Sequence, residues 1–291
     1  MLKIYLPIGI TLLLLLPGLR AQENSLIATS AGIEKIAGGF QFVEGPAADP
    51  EGNLFFVDIP TERILKWNPE TGVSTIRSES GRANGLRFDP EGNLVICEMK
   101  TRQVTSTDKN GDSRVLASHF EGKRFNSPND LWIDPNGGIY FSDPRYGSTE
   151  DQELSGHHVY YINPDEDQIL QVTNDLERPN GIIGSFESDK LYIADHGAGQ
   201  TYVYSIKKDG TLTDKQLFAP QGSDGMTMDE LGNLYLTGQD ITIYAANGVA
   251  IESIATPEPP ANVTFGGQDG MTLFITARTS VYALKMNVTG Q

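Results

Sequence analysis

Cysteine is almost missing from this 291-residue chain, which has one, Cys97. A single thiol forms no internal disulfide and builds no cysteine metal cluster. Its setting in the apolar run LVICE marks it as a small buried hydrophobe. Basic charge is also scarce: 22 Lys and Arg face 38 Asp and Glu, a formal net charge of −16. Binding a polyanion needs clustered Lys and Arg, so no nucleic-acid partner is expected. No G-x-S-x-G elbow occurs, which argues against a serine hydrolase. Beyond the N-terminal segment no window shows a helical period, so helices are not expected. The 38% hydrophobic content is that of a globular chain, and 31 Gly with 16 Pro predict many turns.

A long hydrophobic run is lacking too. The apolar stretch at 8–16 falls well short of the about 20 residues that span a bilayer. Lys3 precedes it, and Pro17, Gly18 and the small Ala21 follow it. This is the layout of a secretory signal peptide over residues 1–21, cleaved before Gln22. Residues 22–291 then form a single exported domain, periplasmic or secreted, with no stable membrane anchor.

What is present is a phrase, repeated six times: EGPAADPEGNLFFVD, NGLRFDPEGNLVICE, NDLWIDPNGGIYFSD, NGIIGSFESDKLYIAD, DGMTMDELGNLYLTG and NVTFGGQDGMTLFIT. The leading residues are Glu44, Asn84, Asn129, Asn180, Asp224 and Asn262, spaced 38 to 51 residues apart. Each phrase reads as a short strand, a turn rich in Asp, Pro, Gly and Asn, and an apolar second strand. Further strands such as RILKWNP and TYVYSI follow, closed by hairpin turns such as KNGD and KDG. Asp108 to Asp112 is one of these turns and lacks the glycine and glutamate of a calcium loop. Repeats of 40–50 residues with up to four strands predict an all-β, six-bladed β-propeller with four-stranded antiparallel blades. Residues 22–40 are expected to supply the outer strand that closes the last blade.

Equivalent positions in the blades of a propeller lie on one ring around the channel. The six leaders should therefore start the first strands and face one end of that channel. They are six oxygen donors, two of them anionic, and suit a hard cation such as Ca²⁺. Asn-Gly and Asp-Gly also suit strand-entry turns, but turn chemistry gives no reason for Glu44 in the same register. His157 and His158 are adjacent in an apparent strand and point to opposite faces, so they form no metal pair.

The chain resembles the regucalcin (senescence marker protein)/gluconolactonase/lactonase-like family of six-bladed propellers. The resemblance rests on Phe42-Val43-Glu44-Gly45-Pro46, Arg82-Ala83-Asn84-Gly85, Ser127-Pro128-Asn129-Asp130, Arg178-Pro179-Asn180-Gly181 and Ser223-Asp224-Gly225-Met226. It implies one divalent metal at the channel mouth, usually Ca²⁺, with Zn²⁺, Mn²⁺ or Mg²⁺ as substitutes. The implied ligands are Glu44, Asn129, Asn180 and Asp224, and the implied substrate contacts are Arg82 and Asn84. The implied activity is hydrolysis of a small-molecule lactone, a sugar lactone such as gluconolactone foremost. Asp224 is the candidate catalytic base beside a metal-activated water, and Glu44 the structural ligand. His196, in ADHGAG, is a candidate proton shuttle or substrate contact. The loop from Tyr146 to His158 is long enough to form part of a lid. Two alternatives stand beside this reading. One is a broad esterase or phosphotriesterase-like hydrolase; the other is a non-catalytic, calcium-stapled propeller that binds carbohydrate or protein.

Overall fold

A computed structural model describes residues 25–291. The signal peptide expected at 1–21 lies outside the described residues. The described chain is all-β, with one 3-10 turn at Ile59–Thr61. Six antiparallel four-stranded sheets succeed one another: blade 1 at 43–78, blade 2 at 83–117, blade 3 at 131–171, blade 4 at 179–219 and blade 5 at 226–254. Blade 6 takes three strands from 260–285 and its outermost strand, Glu34–Gly38, from the start of the domain. That strand pairs antiparallel with Ser280–Lys285, Glu34 opposite Ala283, so the ring is closed by hydrogen bonds between the two ends of the domain. The expected closing strand and the six-bladed architecture are both observed.

The second strand of each blade has a near-continuous apolar sequence because both its faces are covered. Leu94–Glu98 and Ile139–Asp143 are buried at every residue. Each blade is sandwiched between two others, so the hydrophobic core is a ring of inter-blade layers rather than one central mass. Five clusters make up this ring, each spanning neighbouring blades; Phe56 and Leu65 of blade 1, for example, pack with Phe274 and Val281 of blade 6. Cys97 is fully buried in another. At Gly184 of blade 4 a Cβ would collide with the indole of Trp132 in blade 3, so that glycine makes room for the aromatic. The outer strands alternate or are exposed, as in Gly72–Ser78.

The Asp of each predicted turn folds the loop behind it. Asp49 accepts from the Asn53 N–H at 2.8 Å, Asp89 from Asn93 at 2.7 Å and Asp229 from Asn233 at 2.9 Å. These loops and the hairpin at Asp108 to Asp112 lie at one end of the ring. The leaders, the connections between blades and the turns joining second to third strands lie at the other end.

Candidate functional site

The leaders do gather around one channel mouth, but they do not open regular strands as the sequence suggests. In blades 1, 2, 4 and 6 the pairing register shifts between Glu44 and Ala47, Ala83 and Leu86, Pro179 and Ile182, and Pro260 and Asn262. In blades 3 and 5 the strand begins only after the leader, at Leu131 and Met226. Irregularities of this kind bend a strand and re-aim a side chain, which here turns the leaders toward the axis. The residue after the leader is glycine in four blades. A Cβ at Gly85 would stand 2.6 Å from the Asn129 carbonyl oxygen, and one at Gly181 2.8 Å from that of Asp224. The Gly85 N–H donates to that Asn129 oxygen at 2.6 Å. Blades thus touch through bare backbone, which draws the leaders into a tight collar.

A second device, not anticipated from the sequence, fixes three of them. The Asp closing a second strand accepts two backbone N–H groups just before the leader. Asp58 holds Gln41 and Phe42, at 3.2 and 3.1 Å; Asp143 holds Asn126 and Ser127, at 2.7 and 2.6 Å; Asp195 holds Glu177 and Arg178, both at 2.8 Å. All three carboxylates are buried. Glu44, Asn129 and Asn180 are set in place by this clamp.

Inside the collar, Glu44 is 3% exposed and its Oε2 accepts from the Gly45 N–H at 2.7 Å. Burial, then the nearby charge of Asp224, push its carboxyl well above the usual range. Burial also raises Asp224, opposed by the charges of His196 and Arg278 and by a hydrogen bond from Asn180. The Asn180 amide is divided. Its Nδ2 donates to Asp224 Oδ1 at 2.6 Å and to Tyr146 Oη at 2.8 Å, while its buried Oδ1 has no partner among the described residues. No side-chain hydrogen bond from Asn129 to a described residue occurs, and Asn84 Nδ2 reaches Met99 Sδ at 3.7 Å. Among the described residues no group of three or more His, Cys, Asp and Glu could hold a metal. The collar instead offers a buried carboxylate, Glu44, and a half-buried one, Asp224, that repel one another, with an orphaned amide oxygen and an uncommitted Asn. That donor set fits a hard divalent cation and gives a zinc-type site no imidazole or thiolate.

Around the collar, His196 Nδ1 lies 3.1 Å from Tyr146 Oη. Tyr146 comes from the long loop at 144–157, which is pinned rather than free. Arg102, 2% exposed, donates to the Phe125 and Asp151 carbonyls, Arg145 pairs with Asp151 and donates to the Asn126 carbonyl at 2.9 Å, and Asn126 Nδ2 donates to Gly156 O at 2.9 Å. The loop expected to be part of a lid is therefore a fixed wall. Arg82 is exposed on the connection from blade 1 to blade 2, in a left-handed backbone with φ of 53°. Asp130 stands where four copies have glycine; burial pushes it up to about 7 against the opposing charge of Arg87. A cavity of about 450 Å³ opens beside Asp224, lined also by His196, Phe42, Gln239 and Arg278. Of the residues singled out in the sequence, Glu44, Asn180, Asp224 and His196 are brought together. Asn84 and Asn129 share the ring, and Arg82 stands at its rim.

A six-bladed propeller with a polar, two-carboxylate collar at one channel mouth is the class of protein that fold and site define. The chain belongs to the SMP-30/gluconolactonase/LRE-like family, whose model matches residues 42–279. It is 32% identical to a gluconolactonase from Zymomonas mobilis, over 92% of this chain and 85% of that one. It is 26% identical to a pentonolactonase from Haloferax volcanii, over 80% of each. A gluconolactonase structure from Xanthomonas campestris superposes with a TM-score of 0.84 at 29% identity, covering 90% of this chain and 91% of the other.

Proposed function

We propose that the protein is an exported, metal-dependent lactonase that opens a sugar lactone ring at the channel mouth. The single observation that carries this reading is the Asn180 amide. Its nitrogen is committed to Asp224 and Tyr146 while its buried oxygen has no partner among the described residues. Relatives that are a gluconolactonase and a pentonolactonase support lactone as the substrate class. Glu44, Asn129, Asn180 and Asp224 are the residues that would hold the cation, with Ca²⁺ the ion best suited to all-oxygen donors. When bound, such an ion polarises a carbonyl and lowers the pKa of water.

Hydrolysis adds water to the ester carbonyl carbon and breaks its bond to the ring oxygen, giving a hydroxy acid. Asp224 takes the proton from the attacking water. Its Oδ1 is occupied by Asn180, and its Oδ2 accepts no hydrogen bond from the described residues. The same proton is then returned to the departing ring oxygen. Tyr146 Oη, beside Asn180 and His196, is placed to donate to the oxygen on which negative charge develops. Arg82 and Asn84 meet substrate hydroxyls at the rim. The fixed wall at 144–157 limits solvent on one side.

The test is a pH-stat assay with glucono-δ-lactone, corrected for spontaneous opening, with and without chelator. Asp224→Asn is expected to lose about 10²–10⁴ in kcat, and chelator to abolish turnover until a divalent ion is returned. Metal-independent turnover or an unaffected variant overturns the mechanism. Metal retention without turnover of any lactone points instead to a binding propeller. For export, the N-terminus of protein recovered outside the cytoplasm is expected to be Gln22; an intact Met1 there overturns cleavage.

A further inference from the structure

Despite the surplus of acids, only half of the ten described arginines have a carboxylate partner. Arg63, Arg77, Arg102, Arg114 and Arg145 each have one within 4.0 Å. Arg82, Arg87, Arg124, Arg178 and Arg278 have none among the described residues, and two of these, Arg178 and Arg278, pack on aromatic rings beside the collar. Arg178 lies over the ring of Tyr146, 5.3 Å from its centroid, and its Nε is buried with no acceptor among the described residues. Arg278 lies over Phe42 at 5.7 Å and lines the cavity next to Asp224. Neither is placed by chance. The backbone N–H of Arg178 is held by Asp195, and the Arg278 carbonyl accepts the N–H of Val43, the neighbour of Glu44. His196 stands between them, touching Tyr146 on one side and lining the cavity on the other. The charge of Arg278 reaches Asp224, and that of Arg178 reaches Tyr146.

A buried guanidinium nitrogen without an acceptor is costly unless a ligand supplies one. Guanidinium groups that stack on aromatics and keep their N–H fork free are suited to carboxylate or phosphate oxygens. The cavity volume of about 450 Å³ lies in the roughly 300–1,000 Å³ range of small-molecule sites. It leaves room beyond the reacting ester.

We propose that the preferred substrates are lactones carrying a second, anionic oxygen group, held by Arg278 and Arg178 while the ring ester lies over Asp224. This rests on the lactonase reading and adds to it the charge of the substrate. A neutral sugar lactone fills the collar but gives neither guanidinium a charged partner.

The experiment compares three probes on the metal-loaded enzyme: glucono-δ-lactone, glucaro-1,4-lactone and glucono-δ-lactone 6-phosphate. One of the two anionic probes is expected to exceed the neutral one by about tenfold in kcat/KM, mainly through KM. Which of them leads tells carboxylate from phosphate. The advantage is expected to shrink between about 20 and 200 mM salt, because exposed charges are screened. Arg278→Gln and Arg178→Gln are each expected to cut the anionic-to-neutral ratio, and Arg278→Lys to restore part of it. The salt series uses the unaltered protein, so it stands even where a variant folds poorly. Equal kcat/KM for neutral and anionic probes overturns the inference and leaves the lactonase reading intact. A preference that ignores both salt and the arginines overturns it as well. No turnover of any probe overturns both readings.

Discussion

Asn180 carries two obligations on one amide. Its nitrogen is spent on Asp224 and Tyr146, which leaves the oxygen buried and without a partner among the described residues. Tyr146→Phe removes one of those two anchors without changing the charge or the volume of the wall. Losing an outer partner of a metal ligand typically costs 10–100-fold in affinity. Calorimetric titration with Ca²⁺ is expected to show about that loss, with an unchanged melting temperature in chelator. Undiminished affinity would mean that Asp224 alone orients the amide. The leaders were legible in the sequence because they repeat in register, and Glu44 stood out because no turn requires it. Tyr146 was not legible as their partner, because a contact across 34 residues and two blades leaves no local signal. Asp130 was legible in principle, since it fills a place that is glycine in four of the six copies. The orphaned Nε of Arg178 and the seat of Arg278 needed coordinates.

At the scale of elements, the strands that could be read were those whose faces are both buried. LFFVD and IYFSD announce themselves by composition, whereas outer strands such as Ser113–Ala117, largely exposed, do not. Irregular pairing at the leaders was hidden because a bulge depends on the partner strand, not on its own residues. The acid ending LFFVD, IYFSD and LYIAD was visible but had no evident task. Its task is to clamp the entrance of the first strand. Asp143→Ala strips acceptors from the buried N–H groups of Asn126 and Ser127. Each unsatisfied buried donor costs about 1–3 kcal/mol, so urea unfolding is expected to show a loss of about 2–6 kcal/mol for the two. Asn126 also ties down the wall through Gly156 and Arg145. The same change should therefore raise KM for the lactone. A loss of stability with an untouched KM would separate the clamp from the wall.

For the whole molecule, acidity without disulfides creates a specific dependence on pH. Burial raises Glu44 and Asp224, and it pushes Asp130 and Asp143 up to about 7. An unfolded Asp titrates near about 3.9. Between those values the folded chain binds protons that the unfolded chain does not. The resulting stabilisation is full below about pH 4 and is lost as pH rises through about 7. Depressed acids act elsewhere. Glu258 is held at about 2, hydrogen bonds from Ser280, Thr279 and Tyr282 outweighing its partial burial, so it matters only in stronger acid. In chelator the protein is therefore expected to melt higher at pH 5.5 than at pH 8, by about 5 °C if the difference is near 2 kcal/mol. A divalent cation at the proposed site is expected to reverse this order. There it would bind the folded collar alone and stabilise by mass action, and protons would compete with it for Glu44 and Asp224. Saturating Ca²⁺ should raise the melting temperature strongly at pH 8 and little at pH 5.5. Equal gains at both values would mean that the two carboxylates are not the ligands. A chelated protein that melts higher at pH 8 would mean that the ring keeps its buried acids ionised without a metal.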